Sequence, residues 1–492
     1  MAYKHGVYGV KKAFAGTMPL AAIGTIPAYI GTAPIQQLNT LGASGFNYAQ
    51  YINRPVLVST LSEAQAALGY SDNWQDFTLC EAMYAHFMEG NNPIGPIILI
   101  NMTNPATLAS ENTETEVTLT GATGSKVGYL NDPLAAIENI TIATLSAGTD
   151  YTLAYQSDGT IKVTITSQSF EGATATLTYK QIDVSKTAIT TAEFSAALAG
   201  LDTAENVTGS VPNVLAAPGW SDDPDYHELM IQKAIEKIAQ KWYITTISDI
   251  PANSTVNTGA EAISWQAENG YDSMWDRVCW PMQQTSDGKL YHLSTLAAVR
   301  TQLTDTEANG IPYISPSNKS ITSDGSCLDD GTELMLTEVD ANTLNASGIT
   351  TVNIVRGEIR LWGPHMSNYS YANQSNIDPD QLLDTAIRMP VYILNYLQRN
   401  YLDNVDNPIA KRDLDAILSN VQQWLNSMVN GGQLLYGTVA FNASDNSITA
   451  LASGDFAFDL QYTNTPNAKS FTFNAQYTES GLTVLLGGSE EA

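Results

Sequence analysis

One stretch, Val211 to Ile247, limits the fold more than any other. Val211–Ala216 is an apolar run, Pro218-Gly219 turns the chain, and Asp225 is placed to cap a helix that reaches Trp242. Leu229, Ile231, Ile235, Ile238 and Trp242 recur along that helix, and Tyr243–Ile247 follows as a second strand, stopped by Asp249-Ile250-Pro251. Two strands separated by a whole helix pair in parallel, because an antiparallel return needs only a turn. Parallel strands are covered by helices on both faces, so an α/β core is expected.

More strands and helices fit the same core. Ile23–Ile30 is a strand closed by Gly31-Thr32-Ala33-Pro34, Pro55–Thr60 is another, and Ile97–Ile100 is apolar throughout. Ser62 is read as the cap of a helix ending at Leu68-Gly69, and Asp76–Met88 is amphipathic, with Phe77, Cys80, Met83, Tyr84 and Phe87 at helical spacing. From 103 to 205 the texture changes to Thr, Ser, Ala and Gly in short alternating runs: Glu116–Thr120, Ile140–Leu145, Tyr151–Tyr155, Ile161–Thr166 and Thr174–Tyr179. Asp158-Gly159 between two of them is a hairpin signal. This segment reads as an inserted all-β domain, with Thr191–Leu201 a short helix leading out.

Towards the C-terminus, Asn345-Ala346-Ser347-Gly348 is a turn, and Ile349–Val355 and Glu358–Trp362 are strands joined at Arg356-Gly357. Ile409–Val429 is a helix whose stripe is Leu414, Ile417, Leu418, Val421, Trp424, Leu425 and Met428, ended by Gly431-Gly432. Phe456–Tyr462, Ser470–Tyr477 and Leu482–Leu486 read as closing strands before an acidic tail.

A chain of 492 residues divides into roughly two to four domains. A net charge of −28 excludes a basic nucleic-acid surface and disfavours anionic membranes. No apolar run spans a bilayer, and the N-terminus lacks a signal-peptide plan. Only 15% of residues are charged, so the surface is rich in neutral Asn, Thr, Ser and Gln, which suits repeated contacts between copies. Cys80, Cys279 and Cys327 are too few and too scattered for a disulfide framework or a zinc site.

In this order the motifs resemble the contractile tail sheath family. The turn at 345–348, the strand pair, Trp362-Gly363, the helices and the closing strands look like the C-terminal domain of such proteins. Gly31-Thr32-Ala33-Pro34, Ala217-Pro218-Gly219, Asp249-Ile250-Pro251, Val278-Cys279-Trp280-Pro281, helix Leu293–Glu307 and the exit Gly310-Ile311-Pro312…Ser315-Pro316-Ser317-Asn318 are similar to core motifs of the family. After Trp362-Gly363 the family usually has Ala-Arg, whereas this chain has Pro364-His365.

The resemblance implies a multidomain α+β and α/β chain with discontinuous core domains. Its expected parts are an N-terminal extended arm (1–22), an α/β sheath core (23–102 and 206–344), an inserted all-β domain (103–205), a C-terminal sheath domain (345–480), and a strand arm with acidic tail (481–492). It implies a structural role without catalysis, cofactor or metal, in the tail of a virion or phage-tail-like particle assembled in the host bacterial cytoplasm. The implied partners are other copies, in stacked six-membered rings, the inner tail tube, and baseplate and tail terminator proteins, with no direct nucleic acid and no membrane insertion. Strand arms that pair with neighbours would carry Tyr3, Gly6, Val7 and Val10, and Leu482, Val484 and Leu486. Lys411, Arg412, Asp413 and Asp415 are the implied tube contacts.

Two other classes compete. The Thr- and Asn-rich β insert also fits a surface-layer or adhesion protein. Asp222-Asp223-Pro224-Asp225-Tyr226-His227-Glu228 holds a carboxylate and a His at metal-like spacing, so Asp225, His227 and Glu228 are candidates for a hydrolase. Acids ahead of a helix also cap it, which is the simpler reading. His5, His86, His292 and His365 are far apart and read as structural, and Gly121–Lys126 lacks the spacing of a phosphate loop.

Overall fold

The computed structural model describes residues 24–43, 45–88, 93–156, 158–240 and 242–486. Strands β1 (Pro27–Gly31), β2 (Pro55–Val58) and β3 (Ile97–Asn101) come first. Six short strands follow: β4 (Thr113–Thr118), β5 (Lys126–Leu130), β6 (Thr141–Ile142), β7 (Tyr151–Tyr155), β8 (Ile161–Ile165) and β9 (Thr174–Tyr179). Then come β10 (Val214–Ala216), β11 (Thr245–Asp249), β12 (Asp276–Cys279), β13 (Met282–Gln284), β14 (Leu290–Tyr291), β15 (Lys319–Ser320), β16 (Gly325–Cys327), β17 (Glu333–Leu334), β18 (Ile349–Val355) and β19 (Glu358–Trp362). Last are β20 (Leu434–Ala440) and β21 (Asp459–Asn464).

Nine strands form the central sheet in the order β15-β19-β18-β12-β11-β10-β1-β3-β2, and its middle, from β18 to β3, is parallel. Alternation sorts the layers. Tyr29, Ile97, Leu99 and Val214 face helices Thr78–Phe87 and Leu293–Glu307; Ala28, Ile30, Ile98 and Leu215 face helices Thr191–Gly200 and Pro224–Gln240. The parallel β10–helix–β11 unit is the one expected. Helix Thr191–Gly200, grouped with the insert in the sequence, buries Phe194, Ala197 and Leu198 in the core layer instead.

The segment between β3 and that helix folds into two three-stranded sheets, β4-β9-β6 and β5-β8-β7, around Val117, Leu130, Ile161, Val163 and Leu177. Its two ends meet: the Ala109 N–H donates to the Gln181 carbonyl (2.8 Å), and the Asp183 N–H donates to that of Thr107 (3.0 Å).

Two caps differ from expectation. Thr60, not Ser62, starts the helix at Leu61, its hydroxyl accepting from Glu63 N–H (3.2 Å). Asp225 lies inside its helix, and Asp223 Oδ1 accepts from the Asp225 N–H (3.1 Å). Ser470–Tyr477 forms no strand, the strand expected from Phe456 begins at Asp459, and Ser480–Leu486 is a 3-10 segment rather than a strand. Ser470–Tyr477 and Leu482–Leu486 have apolar residues suited to strands but no strand to pair with among the described residues, and at the latter local bonds such as Leu482 N–H to the Glu479 carbonyl (2.9 Å) take over. Among the described residues no helix is long and apolar enough to cross a membrane.

Candidate assembly interface

The C-terminal module hangs on one helix, Asp384–Tyr401. Asp384, Arg388 and Asn395 are spaced by four and seven residues and therefore share a helix face. All three are buried against the core. Arg277 Nη2 meets Asp384 Oδ2 at 2.5 Å, while Arg277 Nη1 donates to Thr350 Oγ1 (3.0 Å) and the Gly363 carbonyl (2.8 Å). Arg388 pairs with Asp305, which also accepts from Thr25. Asn395 Oδ1 accepts from Tyr243 N–H (2.9 Å) and its Nδ2 donates to the Tyr243 carbonyl (2.8 Å).

The opposite face of this helix is apolar. Met389, Tyr392 and Ile393 pack with Val421, Leu425 and Met428 of helix Lys411–Asn430, and Tyr396 stacks on Trp424 at 4.5 Å. The hairpin β20–β21 lies against the second helix, where Gly437 allows a close approach: a Cβ there would sit 3.2 Å from Leu425. Gln422 covers the outer edge of β20, its Nε2 donating to the Gly437 carbonyl (3.0 Å) and its Oε1 accepting from Val439 N–H (3.1 Å). No such group covers the outer edge of β21 among the described residues. An apolar groove of about 800 Å³, lined by Leu397, Tyr401, Ile417, Val421, Phe456 and Phe458, opens beside the hairpin.

After β21 the chain is pinned as far as Lys469: Thr465 Oγ1 donates to the Gly432 carbonyl (2.7 Å), and Lys469 Nζ to Tyr369 OH (3.2 Å). Beyond it, Phe471, Phe473 and Tyr477 are 79%, 90% and 78% exposed. Three large rings on one parity of the chain, all turned to solvent, have the side-chain pattern of a strand without forming one here.

The residues singled out in the sequence fall in different places. Tyr3, Gly6, Val7 and Val10 lie outside the described residues. Leu482 is half exposed in the 3-10 segment, which also contains Val484 and Leu486. Lys411, Arg412 and Asp415 are exposed at the start of their helix, whereas Asp413 is occupied as a cap, Oδ2 accepting from Ala410 N–H (2.9 Å). The acid–His run does not converge. His227 points inward to Asp276 (2.9 Å) and stacks on Tyr271, Asp222 pairs with Lys186 (3.3 Å), and Glu228 accepts from Gln232 (2.8 Å). Lys126, the first residue of β5, donates to the carbonyls of Glu171 (3.0 Å) and Gly172 (2.7 Å) in the turn between β8 and β9. Cys80, Cys279 and Cys327 are buried, and burial pushes the thiols of Cys80 and Cys327 up to about 12.

The other histidines are set by burial and charge. Burial pushes His86 and His365 down to about 4. Burial also opposes a charge on His292, but Glu81, 2.7 Å away, and Asp249 outweigh it and push it up to about 9.

No family model matches the chain. The tail sheath protein of Burkholderia phage BcepMu is 25% identical to it, over 99% of both chains. Over nearly its whole length the chain is thus similar to a contractile tail sheath protein. A putative prophage major tail sheath protein of Pseudomonas aeruginosa is likewise 25% identical, over 59% of this chain and 75% of its own. The same fold occurs in a chain of the anti-feeding prophage baseplate (TM-score 0.56, 12% identity, 97% of this chain and 100% of that one). It also occurs in the PVC sheath complex of an extracellular contractile injection system in the contracted state (TM-score 0.52, 9% identity, 97% and 100%). The sheath relatives are structural proteins, not enzymes. The buried contacts that anchor helix Asp384–Tyr401 were not found from the sequence, because their partners are distant in the chain.

Proposed function

We propose that this sheath-family chain polymerises as stacked six-membered rings around an inner tail tube, in an extended arrangement, and contracts to drive the tube through a target envelope. The observation that carries the reading is the bare strand pattern of Ser470–Tyr477, taken with the outer edge of β21, uncovered among the described residues. A segment from one copy that completes the edge of the next joins them by backbone hydrogen bonds, which survive rotation of the domains about the joint. The arm thus lies upstream of Leu482–Leu486, which follows as its continuation, and Tyr3–Val10 is the matching arm at the other end. The driving force is the difference in contact free energy between two lattices, without a fuel molecule. Lys411, Arg412 and Asp415 face the tube in this scheme, with Asp413 holding the helix start beneath them. Baseplate and terminator proteins close the two ends of the polymer, in a particle assembled in the host cytoplasm.

Negative-stain electron microscopy of the concentrated protein, alone and with a tube protein, tests the proposal. Striated tubes or rings are expected. Dispersed particles under both conditions would remove the sheath reading and favour an adhesion role for the β insert. Proline at Val7 and Val10 is expected to block tubes while leaving the monomer folded.

A further inference from the structure

We propose that a basin at the junction of the core and the C-terminal module binds a pair of carboxylates, and that its occupant is the Glu490-Glu491 tail of a second copy. This rests on the self-assembly reading above. The basin measures about 490 Å³ and runs between Lys319 of β15 and Lys469, just before the exposed aromatic segment. The chain carries 50 acidic against 22 basic side chains, yet among the described residues no carboxylate lines this basin.

Its walls offer donors. The ammonium of Lys319, whose backbone pairs in the β15–β19 ladder, has no ion-pair or hydrogen-bond partner among the described residues. Among the described residues the ammonium of Lys469 hydrogen-bonds to Tyr369 OH and sits over the rings of Tyr369 (5.4 Å) and Tyr371 (5.9 Å), contacts that hold it in place without neutralising it. Asn318 uses its oxygen on Arg360 (3.2 Å), which leaves its amide N–H₂ available. The local field is positive: burial is the first cause holding His365 neutral in the basin's lining, and Lys469 and Arg277 add to it, with only Asp384 acting in the opposite sense as a charge.

Two ammonium groups and an amide that line one space, unmatched by any carboxylate among the described residues, fit adjacent carboxylates. Glu490 and Glu491 are such a pair, at the end of the segment proposed to cross to a neighbour. The basin lies beside the point where that segment departs, so tail exchange would seat each tail close to the next copy's own arm.

Tubes assembled from equal amounts of light- and heavy-nitrogen-labelled full-length chain can be treated with a carbodiimide and mapped by peptide mass. Mixed-isotope amide links from Glu490 or Glu491 to Lys319 or Lys469 are expected. They should vanish in a Glu490→Gln/Glu491→Gln chain that still forms tubes. Tail links to other lysines only, links of a single isotope only, or no tail links in well-formed tubes would overturn the proposal and leave the assembly reading standing. Failure to form tubes under any condition overturns the assembly reading, and this one with it.

Discussion

Replacing Asp384 with Ala should loosen the C-terminal module while sparing the central sheet. Asp384 is fully buried and its carboxylate is the charged partner of Arg277. Without it the guanidinium keeps its bonds to Thr350 and the Gly363 carbonyl, but its charge stays buried and uncompensated. Breaking a buried pair in this way costs about 3–5 kcal/mol, so a value near 4 corresponds to a roughly thousandfold change in a local opening equilibrium. Ser315 Oγ also loses its acceptor on Asp384, which adds to the loss. Amide hydrogen exchange reads this directly. Helix Asp384–Tyr401 should exchange about a thousandfold faster in the variant, with β1 and β3 unchanged. Removing both charges, as Arg277→Met with Asp384→Leu, should recover most of the protection, because the desolvation cost of both ions disappears together. A change of less than tenfold in the single variant, or additive effects in the double, would refute the anchoring role of the Arg277–Asp384 pair.

Phe471→Ser, Phe473→Ser and Tyr477→Ser together should raise the concentration needed for tubes by a thousandfold or more, at about 1.5–3 kcal/mol of lost burial per ring, while the melting of the monomer stays put; unchanged assembly in sedimentation would reject the arm. Below pH 6.5 the monomer should lose stability. His86 and His365 have folded values near 4, below the unfolded one, so the stability they contribute is present above about 6.5 and fades as pH falls towards 4. The opposite holds for His292, whose contribution is complete below about 6.5 and is lost as pH rises through 9; His292→Gln should flatten that alkaline limb of a melting-temperature profile. Gly348→Ala should cost at least twice as much as Gly357→Ala in chemical unfolding. Both have positive φ, but a Cβ at 348 would meet the carbonyl oxygens of Met366, Tyr369 and Ser367 at 2.8–3.1 Å, and at 357 it would meet nothing.

Local periodicity carried much of the fold. Helix Leu293–Glu307 and the strands Ile349–Val355 and Glu358–Trp362 have the bounds read from sequence, since apolar spacing and turn residues agree there. Arg356 and Gly357, both at positive φ, make the tight turn between those strands. Strand β5 was not anticipated because Gly128 interrupts its pattern; the gap exists because a Cβ at Gly128 would lie 2.5 Å from Val117 and 2.7 Å from the Thr118 carbonyl. Strands β13 to β17, of two or three residues, are too short for any period to emerge. At the interface, the alternation of Ser470–Tyr477 was legible, but its meaning was not: a strand needs a neighbour, and the sequence does not say that the neighbour is missing. Arg277 and Asp384, more than a hundred positions apart, are individually unremarkable charges until the fold brings them together.

The joined ends of the β insert bear on how quickly the chain can fold. Strand β10 must find β1 across the whole excursion, and a floppy loop of that length makes the search entropically costly. Strands β4 to β9 pair only with one another, so the insert can close early and bring Thr107 beside Asp183. The loop left between β3 and β10 is then shorter by roughly threefold, which the logarithmic closure law converts to about 1 kcal/mol. Inserted where its ends touch, the domain acts as a clasp that lowers the contact order felt by the core, and a large insertion need not slow the assembly of the sheet around it.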